Sequence, residues 1–224
     1  MDSLHLLLAH ELTLPRAALR SLLESEVGVM VVAEADTADR LQEQLHAHRP
    51  DLILMTLSQR AGFGSSLIES LQRQNPKTKI IAISPHDELS FVRLLMAAGA
   101  AGYVSERSPA AELRNALREV AHGHAYIDSS IADRADPATL GKLKKSEGRQ
   151  KPSAFLSKRE TEVLRMLAQG FTNQQVADAL TLSVKTAETY RVRLTRKLGV
   201  KSRSELFRYA FEVGMVGPDQ LLAQ

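Results

Sequence analysis

Five short apolar runs punctuate the first 125 residues: Leu4 to Ala9, Val27 to Ala33, Asp51 to Leu57, Lys79 to Ile83 and Ala101 to Val104. They are apolar almost throughout instead of alternating, the pattern of strands covered on both faces. Between them, Leu14 to Ser25, Ala38 to His48, Ser65 to Gln74, Glu88 to Ala98 and Pro109 to His122 carry apolar residues at helical spacing, as Leu113, Ala116, Leu117 and Val120 do. Strict alternation of strand and helix predicts an α/β domain over residues 1–125, a (βα)5 doubly wound parallel sheet with helices on both faces. The functional crevice of such a sheet lies beyond the C-terminal ends of its strands.

From Asp128 the pattern dissolves into Asp136-Pro137, Gly141-Lys142-Leu143-Lys144-Lys145-Ser146-Glu147-Gly148 and Lys151-Pro152, so residues 126–154 read as a linker. Residues 155–218 are purely helical in pattern, an all-α unit. Ser157 and Glu160 form a capping-box signature ahead of Val163, Leu164 and Leu167, and Gly170 closes that helix. A short helix, Asn173 to Leu180, follows Thr172 and buries Val176, Ala177 and Leu180; the next begins after Ser183 and runs to about Leu198, where Gly199 stops it. Two helices joined by a three-residue turn make a helix-turn-helix.

On the third helix Ala187, Tyr190, Leu194 and Leu198 share the inner stripe, leaving Lys185, Glu188, Thr189, Val192, Arg193 and Arg196 outward. Lys and Arg can neutralise phosphates or pair with guanine, Glu can accept from cytosine, and Val or Thr methyls can meet thymine, so this face suits a major groove. Arg191, near the buried edge, is expected to reach sideways to a phosphate, and Thr186 and Lys201 complete the candidate DNA contacts.

Charge sharpens this division. The chain carries only +3 overall, yet residues 1–140 hold thirteen Lys and Arg against eighteen Asp and Glu, while 141–224 hold sixteen against eight. A basic segment after an acidic one is the footprint of a nucleic-acid module attached to something else. Cysteine is absent, which excludes disulfides, zinc-thiolate sites and cysteine nucleophiles. No Gly-rich phosphate loop, Ser-His-Asp order or metal-spaced His cluster occurs, and His46, His48, His122 and His124 fall at helix ends, so no catalytic residue, metal or cofactor is expected. The N-terminus lacks a basic n-region, and no apolar run approaches the roughly 18 residues a membrane span needs, which points to a cytoplasmic protein.

Particular residues then carry a resemblance. Leu156-Ser-Lys-Arg-Glu-Thr-Glu-Val-Leu164, Gly170-Phe-Thr-Asn173, Val176-Ala177, Leu182-Ser-Val-Lys-Thr186 and Arg196-Lys-Leu-Gly-Val200 resemble the LuxR-type DNA-binding domain across residues 155–216. The resemblance implies four helices, the third entering the groove and the last, Arg203 to Val213, pairing two copies on an inverted repeat of double-stranded DNA. Leu206, Tyr209, Ala210 and Val213 would supply that homodimer stripe, with core packing inside one subunit as the other explanation.

Leu7-Leu8-Ala9, Arg49-Pro50-Asp51-Leu52-Ile53-Leu54-Met55, Ser84-Pro85-His86-Asp87 and Ala98-Gly99-Ala100-Ala101-Gly102-Tyr103 make the first half similar to NarL/FixJ-type response regulators. In that family a carboxylate ending the third strand is phosphorylated, an acidic pair holds Mg²⁺ and a Lys after the fifth strand meets the phosphoryl group. Here those positions hold Thr56, the pair His10 and Glu11, and Glu106; Ser84 and Tyr103 alone keep the family's hydroxyl and aromatic residues. The set implies an atypical receiver without aspartyl phosphorylation, in which Glu11 and Glu106 would find Arg107 or His10 as partners. Asp51 and Asp87 are alternative acceptors, neither of them at the expected strand end. The expected function is a sequence-specific transcription regulator whose receiver-like domain serves dimerisation, a protein partner or a small ligand. An adaptor or anti-regulator acting through that domain is the alternative.

Overall fold

The computed structural model describes residues 3–58, 60–135, 141, 156–198, 200, 202–212 and 215–216. The chain divides into two compact units, Met1–Gln150 and Lys151–Gln224.

In the first unit β1 (Leu4–Ala9), α1 (Thr13–Glu24), β2 (Val29–Ala35), α2 (Ala38–His48), β3 (Leu52–Thr56), α3 (Ser65–Gln74), β4 (Lys79–Ser84), α4 (Leu89–Ala98), β5 (Gly102–Ser105) and α5 (Ala110–Ala121) alternate as the pattern predicts. With β6 (Tyr126–Ile127) at its edge, the sheet is parallel, in the order β2-β1-β3-β4-β5-β6. Along β1, Leu6 and Leu8 face one side and pack with Leu23, Leu113, Ala116, Leu117 and Val120 into a single core, while Leu7 is buried on the other. Each fully buried leucine contributes about 1.5–3 kcal/mol, so registry of the whole sheet follows from which side its leucines face.

Packing of α5 on the sheet is close at one glycine. A Cβ at Gly102 would stand 3.0 Å from Ile81 Cγ1 and 3.2 Å from Val120 Cγ2, so a larger residue would require these side chains to give by a few tenths of an ångström.

The stretch assigned to the start of a linker is structured instead. Tyr126–Ile127 form a sixth strand, β6, parallel to β5, and Ser129–Ala132 a short α6. Two carboxylates explain it. Asp128, fully buried, accepts from the Ser105 amide at 3.0 Å and from the Ser130 amide and hydroxyl at 3.0 and 2.7 Å. Glu112 on α5 accepts from Tyr126 Oη at 2.6 Å and from the Ser129 amide and hydroxyl at 3.0 and 2.8 Å. A two-residue strand leaves no periodicity to read, and its anchoring is polar, so the sequence pattern missed it. Residues 136–140 and 142–154 of the expected linker lie outside the described residues.

Burial pushes the Asp128 carboxyl up, but hydrogen bonds from Ser108, Ser130 and the Ser105 amide outweigh it and hold the group below its ordinary 3.8. The Tyr126 hydroxyl leads in drawing Glu112 below 4.5. Both carboxyls are depressed, so their contribution to stability is complete above those ordinary values and disappears as pH falls through the lower folded ones. Thermal unfolding followed by circular dichroism should therefore show a loss of stability below about pH 4 that is shallower in Asp128→Ala, a variant about 3 kcal/mol less stable than wild type at neutral pH.

Candidate nucleic-acid interface and receiver pocket

The second unit contains α7 (Lys158–Ala168), α8 (Asn173–Leu180), α9 (Val184–Leu198) and α10 (Arg203–Glu212). Ser157 and Glu160 cap α7 reciprocally, and Thr172 and Gln175 do the same for α8. Ser183 Oγ accepts from the Thr186 amide at 3.1 Å and meets its hydroxyl at 2.7 Å, starting α9. Such caps are worth about 1 kcal/mol each and fix where the short helices begin.

Polar ties then set the helices against each other. Glu160 is buried and receives Lys197 Nζ at 2.7 Å, which joins the first turn of α7 to the last turn of α9. Burial raises the Glu160 carboxyl, but the Lys197 and Ser157 contacts prevail and leave it below the ordinary range. Arg159 donates to the Leu180 carbonyl and pairs with Glu162, and Arg203 donates to the Gly170 and Phe171 carbonyls, fastening α10 to the α7–α8 turn. None of these tertiary roles is encoded in local spacing.

The stripe assignment on α9 holds in outline. Ala187, Leu194 and Leu198 are buried, whereas Tyr190 is only half-buried, as is Leu180 on α8. Lys185, Glu188, Thr189, Arg193 and Arg196 are exposed, and Val192 keeps 46% of its surface. Thr186 is committed to the cap, and Arg191 reaches Glu188 at 3.8 Å. Lys201, Gly199 and Val213 lie outside the described residues.

The proposed dimer stripe needs correction. Leu206, Tyr209 and Ala210 are 2, 5 and 0% exposed because α10 packs on α7, so they belong to the core of their own subunit. The alternative reading, packing inside one subunit, accounts for them. On the same helix Phe207 and Phe211 are half-buried and stacked with centroids 5.9 Å apart.

In the first unit, His10, Glu11, Thr56 and Glu106 line one cavity of about 590 Å³ at the C-terminal ends of the strands. Ser84 and Tyr103 do not join them: both are fully buried, the Tyr103 hydroxyl donating to the His86 carbonyl and the Ser84 oxygen accepting from the His86 amide at 3.3 Å. Thr56 is 7% exposed and its hydroxyl has no hydrogen-bond partner among the described residues. Glu11 is held by the Ser58 hydroxyl and by Arg60 at 3.5 Å, while the expected neighbours act through charge alone, Glu11 on His10 and Arg107 on Glu106. Burial and then Arg16 lower the His10 pKa, which leaves the ring neutral at pH 7. Glu106 is pushed up by burial against the opposing pull of Arg107. Ser58 and Arg60 escaped the sequence reading because no family position marks them.

Comparison with known proteins agrees with both halves. The family description "Response regulator receiver domain" matches residues 6–118, and "Bacterial regulatory proteins, luxR family" matches residues 154–210. The chain belongs to the response regulator family. It is 31% identical over 221 residues to the response regulator UvrY of Escherichia coli O6:H1, covering 99% of this chain and all of that one. It is 29% identical over 210 residues to the oxygen regulatory protein NreC of Staphylococcus epidermidis, covering 92% of this chain and 96% of the relative. The structure of RcsB from Salmonella enterica serovar Typhimurium bound to promoter DNA in the presence of phosphomimetic beryllofluoride shares its fold, with a TM-score of 0.71, 24% identity and coverage of 95 and 100%.

This response regulator carries one local strain at its helix-turn-helix. Thr181 closes α8 at φ 55°, ψ 51°, a left-handed conformation that costs a β-branched residue about 1–2 kcal/mol. Thr181→Gly should raise the melting temperature of the C-terminal unit, the relief exceeding the backbone entropy a glycine adds by a margin of up to about 1 kcal/mol. Differential scanning calorimetry of the full chain reads it directly.

Proposed function

We propose that this response regulator controls transcription by binding double-stranded DNA as a homodimer on an inverted repeat, and that it does so without aspartyl phosphorylation. The observation that carries the first part is the outer face of α9. Lys185, Arg193 and Arg196 are exposed and make no ion pair among the described residues, so three cations stand free for phosphates or guanines beside Thr189 and Val192. Glu160 and Lys197 hold that helix firmly enough to present them. Since Leu206, Tyr209 and Ala210 serve the core, the homodimer pairs through the side of α10 bearing Phe207 and Phe211. An adaptor acting through the receiver alone would leave this face of α9 without a use.

The second part rests on the receiver's chemistry. Mg²⁺ seeks several oxygen ligands, preferably ionised. Thr56 offers a neutral hydroxyl, Glu11 is already bound by Ser58 and Arg60, and His10 supplies a neutral ring. Those residues do not suit the ion. Thr56 also lacks the carboxylate needed to attack a phosphoryl donor, and Glu106 would repel the product. Asp51 lies just before β3, at its other end from Thr56, where it accepts from the His5 amide at 2.9 Å; Asp87 pairs with Arg134 at 3.2 Å. Neither reaches the cavity.

A regulatory role in the bacterial cytoplasm is the reading that the receiver and luxR-family matches support. Among the described residues no helix is long and apolar enough to cross a membrane, and no cluster of three or more His, Asp or Glu is placed to hold a metal.

Fluorescence anisotropy on inverted-repeat DNA selected from genomic fragments provides the test. The double variant Lys185→Ala, Arg193→Ala should bind at least about tenfold more weakly, and its salt dependence should be shallower by about one unit of slope for each phosphate no longer neutralised. Wild-type affinity with an unchanged slope would remove α9 from the interface.

A further inference from the structure

The cavity at the strand ends has a use that the loss of phosphorylation leaves open. Its polar lining includes Thr56, His10, Glu11 and Glu106, and its apolar lining includes Pro15, Leu19 and Leu22 of the α1 side, Leu113 of α5 and the strand residues Ile83 and Val104. At about 590 Å³ it falls within the range of small-molecule sites. Among the described residues no Lys or Arg lines it.

Thr56 supplies a second, independent observation. Thr56 belongs to this lining and is more than nine-tenths buried, and its hydroxyl is without a partner among the described residues. A buried polar group left unpaired costs about 1–3 kcal/mol, a penalty that a ligand's own polar group would cancel. The neighbouring charge selects the kind of group. Glu11 is satisfied by Ser58 and Arg60, whereas Glu106 faces the cavity with only its chain neighbour Arg107 to oppose it. An anion placed there meets carboxylates and a neutral imidazole and finds no cation in the described lining. A hydrogen-bond-donating cation meets acceptors on both sides.

We infer that this cavity binds an amphipathic primary amine, its ammonium over the strand ends between Thr56 and Glu106 and its apolar body between α1 and α5. The inference rests on the phosphorylation-free reading of the receiver and gives that domain its input. The ammonium would be the positive charge of the site, and the apolar body would fill space between two helices of the core. Occupancy would then change how α1 and α5 pack, a change that a phosphoryl group at the strand end would not produce in the same way.

Isothermal titration of the full chain at pH 7 with octylamine, octan-1-ol and octanoate compares three heads on one body. Octylamine should bind with one site per chain, at least tenfold tighter than octanoate. Glu106→Gln should abolish the preference of octylamine over octan-1-ol. Thr56→Val should weaken octylamine several-fold while raising the melting temperature of the ligand-free protein, since it deletes the unpaired hydroxyl; a merely structural threonine would not give both. Leu19→Gln should weaken the amine and the alcohol together. Equal or tighter binding of octanoate, a preference that survives Glu106→Gln, or no saturable site for octylamine would overturn the proposal. So would a dimer that Leu12→Glu converts to monomer while octylamine fails to bind, because a second copy of the chain would then be what covers this face. The titration contains neither DNA nor phosphoryl donor, so it fails separately from the reading beneath it: label incorporated from acetyl phosphate with Mg²⁺ would overturn that reading whatever the amine does.

Discussion

Because the sheet runs β2-β1-β3-β4, the chain leaves β1 towards one edge and β3 towards the other, and the loops beyond these strands diverge. The crevice between them is a consequence of winding and exists whatever residues occupy it. His10 and Glu11 follow β1, Thr56 ends β3 and Glu106 follows β5, so topology gathers them into one cavity. On the function proposed above, the fold keeps this site with a different chemistry: a neutral hydroxyl in place of a nucleophile, a hydrogen-bonded carboxylate in place of a metal ligand and a negative charge in place of a positive one.

The C-terminal unit is governed by a different constraint. Its helices are short, from 8 to 15 residues, and helices of that length are marginal unless capped and packed. Two capping boxes set the starts of α7 and α8, and Glu160 serves both its own cap and Lys197 on α9. One buried carboxylate thus couples the beginning of the domain to the end of α9. Lys197 is spent on structure, which separates it from Lys185, Arg193 and Arg196 on the same helix.

Much of this was legible in the sequence. Near-continuous apolar runs and helical spacing located five strands and five helices of the receiver within a residue or two at most ends, because burial on both faces leaves an unambiguous pattern. Ser157, Thr172 and Ser183 announced the three helix starts correctly, since capping is a local interaction. What escaped was long-range. β6 depends on Asp128 and Glu112 reaching across the fold, Glu11 found Ser58 and Arg60 47 and 49 positions away, and Leu206, Tyr209 and Ala210 turned inward because α7 covers them. An apolar stripe on a terminal helix looks the same whether its cover is another helix of the subunit or a second copy, so spacing could not separate the two.

The central claim is that the groove-facing helix acts without a phosphoryl switch in the receiver. The affinity of the full-length protein for its inverted repeat, measured before and after treatment with acetyl phosphate and Mg²⁺ and with beryllofluoride, tests it most directly. One dissociation constant should hold under all three conditions. Binding that appears only after treatment, or tightens by about tenfold or more, would contradict it and restore a working phosphoacceptor to this receiver.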